Sequence, residues 1–283
     1  MAKLIFGCGY LGHRVARHWR AAGETVYAVT RVPARAAELA ADGVQPLLGD
    51  VTDAATLAGL PAVETVLYAI AYDPRSGVSR RSATLEGLRA ALDALPAVGR
   101  FIYVSSTSVF GAAGGAWVDE TTACRPTREA GKTGLAAERL LAAHPWGERA
   151  IVLRLAGLYG PGRLPRLKDV LAGRPIEVAA DAALNLIHVD DAAEVVLAAE
   201  RRGRPPRTYL VSDGHPTDRL TFYRHLAALL GAAEPRFVLV AADQLRRGGD
   251  KRVSNARMAA ELGVTLQYPS FREGLAAIAA EAS

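Results

Sequence analysis

The sequence predicts an α/β fold, a doubly wound parallel sheet followed by a smaller C-terminal α/β lobe. Strand-length apolar runs alternate with stretches whose apolar residues recur at helical spacing, the pattern of parallel strands covered by helices on both faces. A glycine-rich turn closes the first of those strands, and after Leu155 the texture shifts to shorter elements punctuated by glycine and proline.

The first strand candidate, residues 3–7, runs into Gly7-x-Gly9-x-x-Gly12 at the head of a helix that begins near Tyr10 and ends at Gly23. In a strand, turn and helix the three glycines do different things: one makes a tight turn, one lets the backbone approach a pyrophosphate, and one lets helix pack closely on strand. The helix N-terminus adds unsatisfied N–H groups and a partial positive charge for the phosphates. Gly7, Gly9, Tyr10, Leu11 and Gly12 are therefore the expected dinucleotide loop of a Rossmann-type sheet.

The second strand, residues 25–30, ends where an acidic side chain would grip a ribose 2′-hydroxyl. Here VYAVTRVPAR presents Thr30, Arg31 and Arg35 and no carboxylate, and arginine suits a 2′-phosphate, so NADP(H) is expected over NAD(H). A helix follows from near Pro33. The third strand, 44–48, leads to Asp50 and Val51 at the adenine edge and a helix from near Asp53. The fourth, 63–69, ends at Ala69, Ile70 and Ala71, where the dinucleotide crosses the sheet. A helix from near Val78 carries Leu85, Leu88, Leu92 and Leu95, and the fifth strand, 100–105, brings Ser105 to the cofactor. A helix from near Thr127 and a strand at 150–155 complete the sheet. Residues 1–160 read as the dinucleotide-binding domain and 161–283 as the substrate-side lobe, with later segments free to cross back to the sheet.

With 283 residues, 50% of them apolar, the chain can bury a large core. Runs such as 66–71 fall short of the roughly 20 apolar residues a membrane span needs. The N-terminus lacks the pattern of a signal peptide, so a cytoplasmic protein without membrane contact is expected. Cys8 and Cys124 make no disulfide framework and lack ligand-like spacing with the six histidines, so no metal is expected. The net charge is +5, but arginines are scattered and only four of the 34 basic residues are lysines, which argues against a nucleic-acid surface.

At FIYVSSTSVFG the chain resembles the extended short-chain dehydrogenase/reductase family, which includes nucleotide-sugar epimerases and dehydratases. The likeness continues in order through DETTACRPT, LRLAGLYGPGR, LNLIHVDDAAEVVLAA and KRVSNARMAAELG. The loop GCGYLG departs from the family's usual GxxGxxG and resembles an atypical subgroup. The resemblance implies that Ser106 hydrogen-bonds the reacting carbonyl; the alternative is a hydroxyl capping a turn.

The family's chemistry uses Tyr-x-x-x-Lys on one helix face, where the ammonium lowers the phenol's pKa and the phenol passes a proton to the carbonyl. This chain has no such pair. Anchored on Glu138 of LAAERLL, the alignment puts Ala130 at the tyrosine position and Gly134 at the lysine position. Lys132 lies two residues from each, roughly 200° around a regular helix, and reaches the cofactor only where the glycine-flanked segment is irregular. The candidate catalytic set is Ser106, Tyr72 and Lys132. Tyr159 and His188 are alternatives, although the resemblance gives Tyr159 a packing role and makes His188 and Asp190 anchors of a helix. Arg163, Lys251 and Arg252 would face the cleft if the lobe docks as in the family, and suit an anionic or nucleotide-linked substrate.

Two functions follow. One is an NADP(H)-binding oxidoreductase or epimerase-like protein acting on a small carbonyl or nucleotide-sugar-like substrate with a non-standard proton donor. The other is a non-catalytic NAD(P)(H)-binding sensor or partner-binding protein. The resemblance also implies pairing through the helices after the fourth and fifth strands; Gly131 and Gly134 lie in the second, so the expectation is a monomer or homodimer.

Overall fold

The computed structural model describes residues 1–178, 182–240 and 250–282. The first half runs β1 (Ala2–Phe6), α1 (Gly12–Ala21), β2 (Thr25–Thr30), α2 (Pro33–Ala41), β3 (Gln45–Leu48), β4 (Val63–Tyr68), α3 (Gly87–Ala94), β5 (Val98–Ser106), α4 (Glu129–Ala143) and β6 (Ala150–Leu155). The second half adds α5 (Leu167–Leu171), α6 (Val189–Arg202), β7 (Arg207–Val211), α7 (Arg219–Leu229), α8 (Ala256–Leu262) and α9 (Phe271–Ala282). Strands β1 to β7 form one seven-stranded sheet in the order β7-β6-β5-β4-β1-β2-β3. Its ladders are parallel, and every crossover except that from β3 to β4 places an α-helix on a face.

Side-chain alternation on the strands feeds two cores. One face presents Ile5, Leu67, Ile102, Ile151 and Leu153 to Val15 and Trp19 of α1, Val195 and Val196 of α6, and Met258 and Leu262 of α8. The other presents Leu4, Phe6, Val66, Tyr68 and Phe101 to Leu88 and Leu92 of α3 and Ala137 and Leu141 of α4. A third core, with Tyr159, Val170, Ile176, Phe222 and Phe271, holds α5, α7 and α9 together.

Charges fix the late helix on the early sheet. Lys3, only 3% exposed, meets Glu200 of α6 at 2.7 Å and Glu64 at 2.8 Å. The same Glu200 accepts from Trp19 Nε1 at 2.6 Å and Thr65 Oγ1 at 2.8 Å. Asp190 and Asp191 in the first turn of α6, with Arg201 and Arg202 in its last, match the helix dipole.

Two predicted helices differ from expectation. The segment after Asp53 is a single 3-10 turn, Ala54–Leu57, because Gly59 in the left-handed region and then Pro61 end it before a second turn forms. The helix expected from near Val78 starts at the Ser79 hydroxyl, which accepts from Ser82 N, and passes through a π-helical turn, Ser82–Glu86, before α3. Gly87 then lets it pass close to Val51, whose Cγ2 lies 2.8 Å from where a Cβ would stand.

Candidate functional site

A cleft of about 790 Å³ opens along the C-terminal ends of β1, β2, β4, β5 and β6, where doubly wound sheets bind ligands. Gly7, Gly9, Tyr10, Leu11, Thr30, Arg31, Arg35, Asp50, Val51, Ala69, Ile70, Ala71 and Ser105 all line it.

The glycine loop divides its labour. Gly7 has φ +87°, and a Cβ on it would stand 2.7 Å from the Ala69–Ile70 backbone. Gly12 does not line the cleft; its missing Cβ would fall 2.5 Å from the Gly7 carbonyl oxygen, so it lets α1 pack against the turn. A Cβ on Gly9 would meet nothing within 4 Å, which leaves bare backbone facing open space at the head of α1. That cradle fits a pyrophosphate.

At the ribose end, Arg35 reaches back to the loop, its Nη2 donating to the Cys8 carbonyl at 3.0 Å and its Nη1 to Glu38 at 2.6 Å. Burial pushes the Cys8 thiol up to about 11 although Arg35 opposes it. Arg31 is half exposed and stands 3.8 Å from Asp50. Burial alone would raise the Asp50 carboxyl, but the Thr52 amide and hydroxyl together with Arg31 hold it below the usual carboxylate range. The residues present suit a dinucleotide cofactor.

The other end of the cleft is lined by Tyr72, Ser106, Ser108, Ala130, Gly134 and Arg163. The Ser106 hydroxyl accepts from Ser108 N at 3.2 Å, so it caps the following 3-10 turn while also facing the cleft. Arg80 packs on the Tyr72 ring at 4.0 Å. Glu138 is buried, and accepts from Ser105 Oγ at 2.5 Å and Arg154 Nη2 at 2.7 Å. Ala130 and Gly134, two turns and one turn before Glu138 on α4, both line the cleft.

Several candidates stand elsewhere. Lys132 is exposed and outside the cleft, because α4 is regular from Glu129 and Gly131 packs tightly on the Ser108 carbonyl, so no irregularity turns the side chain inward. Tyr159 is fully buried in the third core and donates to the Ser270 carbonyl at 3.4 Å; burial raises its phenol. His188, 1% exposed, caps α6 by accepting from Asp190 N at 3.3 Å, and burial lowers its pKa. Arg163 lines the cleft with its guanidinium over the Tyr10 ring at 5.4 Å. Lys251 is 4% exposed and donates to the Gly111 carbonyl at 3.3 Å rather than lining the cleft, and Arg252 is exposed and donates to the Gly115 carbonyl. Cys8, Arg80 and Ser108 line the cleft although the sequence did not single them out. The first lies inside the motif it interrupts, the third accompanies Ser106, and nothing in the sequence points Arg80 at Tyr72.

Among the described residues no helix is long and apolar enough to cross a membrane, and no group of three His, Cys, Asp or Glu could hold a metal ion.

Protein YeeZ of Escherichia coli strain K12 is 34% identical over 171 residues, which cover 60% of this chain and 59% of that protein. A conserved protein of unknown function from Silicibacter pomeroyi DSS superposes with TM-score 0.81 at 32% identity, over 99% of this chain and 98% of that one. A UDP-glucose 4-epimerase from Thermotoga maritima, solved with UDP-glucose, gives TM-score 0.82 at 20% identity over 99% and 98%, a likeness of fold. The model of the NAD dependent epimerase/dehydratase family matches residues 4–212, from the first strand through the seventh, and the chain belongs to that family.

Proposed function

We propose that the protein is an NADP(H)-dependent oxidoreductase or epimerase-like enzyme acting on a small carbonyl or nucleotide-sugar-like substrate. The observation that carries the cofactor preference is the pair Arg31 and Arg35 at the end of β2, one half exposed at the cleft and the other tied to the glycine loop. Two guanidiniums at that edge suit a 2′-phosphate. Bound along the cleft, the nicotinamide would supply or accept a hydride. Ser106 would donate a hydrogen bond to the reacting carbonyl, and Tyr72, its ring held by Arg80, would supply the proton that the family's tyrosine supplies elsewhere.

A fluorescence titration tests this: NADPH is expected to bind about tenfold or more tighter than NADH, with Arg31→Ala removing most of the difference. Equal or tighter NADH binding overturns the preference. With NADPH and a panel of ketones, aldehydes and nucleotide sugars, Tyr72→Phe is expected to lower kcat by about 100-fold.

Ala130 and Gly134 at the cleft favour a second reading, a non-catalytic NAD(P)(H)-binding sensor. It expects tight cofactor binding, no turnover on the same panel, and a conformational or partner response to the oxidised/reduced ratio.

A further inference from the structure

The arginines that line the cleft differ in what surrounds their charge. Arg31 stands 3.8 Å from Asp50, and Arg35 bonds to Glu38 while touching the Cys8 carbonyl. Arg80 lies on the Tyr72 ring. Arg163 is exposed, and among the described residues its guanidinium meets neither a carboxylate nor a carbonyl oxygen. It packs over the ring of Tyr10, 5.4 Å from the centroid, so a cation from beyond residue 160 stands at the glycine loop.

The turn that carries Arg163 is docked on that loop. Arg163 N donates to the Gly160 carbonyl at 2.9 Å and Gly160 N to the Arg163 carbonyl at 3.3 Å, which closes the turn on itself. Tyr10 Oη donates to the Pro161 carbonyl at 3.1 Å. A Cβ on Gly160 would stand 2.6 Å from the same Oη, so the absent side chain lets the phenol reach the turn. Arg14 also packs on the Tyr10 ring, at 4.6 Å, but its charge is taken up: its Nε donates to Asp190 at 2.6 Å and its Nη1 to the Tyr10 carbonyl at 2.9 Å. Of these two cations only Arg163 lines the cleft.

The loop itself leaves a charge to be met. Residues 7–12 include no basic side chain, and the amides of Tyr10 and Leu11 donate to no acceptor among the described residues. Those amides and the α1 dipole present roughly half a positive charge, less than a fully ionised pyrophosphate requires. Arg163 lies at the end of the cleft away from Arg31 and Arg35, so the phosphate it faces is the one farther from the adenosine.

We propose that Arg163 is the counter-cation of the cofactor's pyrophosphate, pairing with the phosphate on the nicotinamide side while the glycine loop holds the other. The proposal rests on the cleft binding a dinucleotide, and it makes that site a joint product of the glycine loop and the turn at 160–163.

Calorimetric titration with ADP and AMP tests this, since the two differ only by the phosphate farther from adenosine. The parent is expected to bind ADP about tenfold tighter than AMP, Arg163→Gln to lose most of that advantage, and Arg163→Lys to keep part of it. NADPH and NADH are both expected to weaken by about tenfold in Arg163→Gln with their ratio unchanged, whereas Arg31→Ala changes the ratio. A folding defect would lower the ADP and AMP affinities together, so it cannot imitate the loss of the ADP advantage. An unchanged ADP-to-AMP ratio in Arg163→Gln, in a parent that binds NADPH, overturns the role of Arg163 alone. A parent that binds neither dinucleotide nor ADP overturns the cofactor reading beneath it.

Discussion

Gly7 and Gly9 lie two residues apart in one loop, and the structure gives them opposite sensitivities. Gly7→Ala forces a Cβ against the Ala69–Ile70 backbone at a left-handed φ, a cost of roughly 2–4 kcal/mol, so a large fall in Tm is expected by calorimetry. Gly9→Ala meets empty space in the folded chain. Its Tm is expected to stay within a degree or two of the parent, while affinity for NADPH falls by about tenfold or more in fluorescence titration. A loop that served only as a turn would lose stability in step with binding. At this scale the sequence was most legible where the backbone itself is constrained, at Gly7, Gly9 and Gly12, and at the short polar stretch after β2. It was least legible for Lys132, Lys251 and Arg80, because the direction of a long side chain depends on which neighbours pack against its stem. Lys251 was expected at the cleft; a bond to the Gly111 carbonyl holds it one turn behind.

Helix α4 is held in place by a buried ion pair. Glu138 is its anchor, 8% exposed, bonded to Ser105 of β5 and to the equally buried Arg154 of β6. Removing one partner leaves the other charge buried and uncompensated, so Glu138→Ala is expected to cost about 3–5 kcal/mol, measured by denaturant unfolding. Glu138→Gln, which keeps an acceptor for the serine, is expected to cost less. The glutamate was readable only through the family resemblance, on which the alignment of LAAERLL was anchored. Its basic partner across the sheet was not readable, since nothing in the strand IVLRL distinguishes a buried Arg154 from an exposed one. The segment after Asp53 failed as a helix for a local reason, Gly59 and Pro61, which were visible in the sequence.

For the molecule as a whole, the second half of the chain supplies buried titratable groups that govern pH dependence. Asp213, at the end of β7 and 4% exposed, has its carboxyl raised from 3.8 to about 7 by burial, against the bond it accepts from His215 N. Between those values the folded chain holds a proton that the unfolded chain has released, so this group's contribution to stability is full below 3.8 and is lost as pH rises through about 7. Asp213→Asn keeps the acceptor for His215 N and removes the titration. Its Tm relative to the parent is expected to climb as pH rises from about 4 to 7 and to level off above that. A flat difference across the range would mean the carboxyl titrates normally. The parallel sheet through β6 followed from alternation and turn signals. The seventh strand did not, because TYLV looks like any short apolar run until its neighbours are known.

That seventh strand makes the order of synthesis matter. β7 pairs with β6 from Arg207↔Ile151 to Val211↔Leu155, and α6 and α8 cover Ile151 and Leu153 on one face. A nascent chain that has left the ribosome only through residue 160 therefore carries the whole glycine loop and an incomplete β-sheet at once. Its last strand has a bare edge of N–H and C=O groups above uncovered apolar side chains, the state most prone to pairing with another copy. The glycine loop is complete early, whereas the apolar face and the edge of β6 are covered only once α6, β7 and α8 have followed.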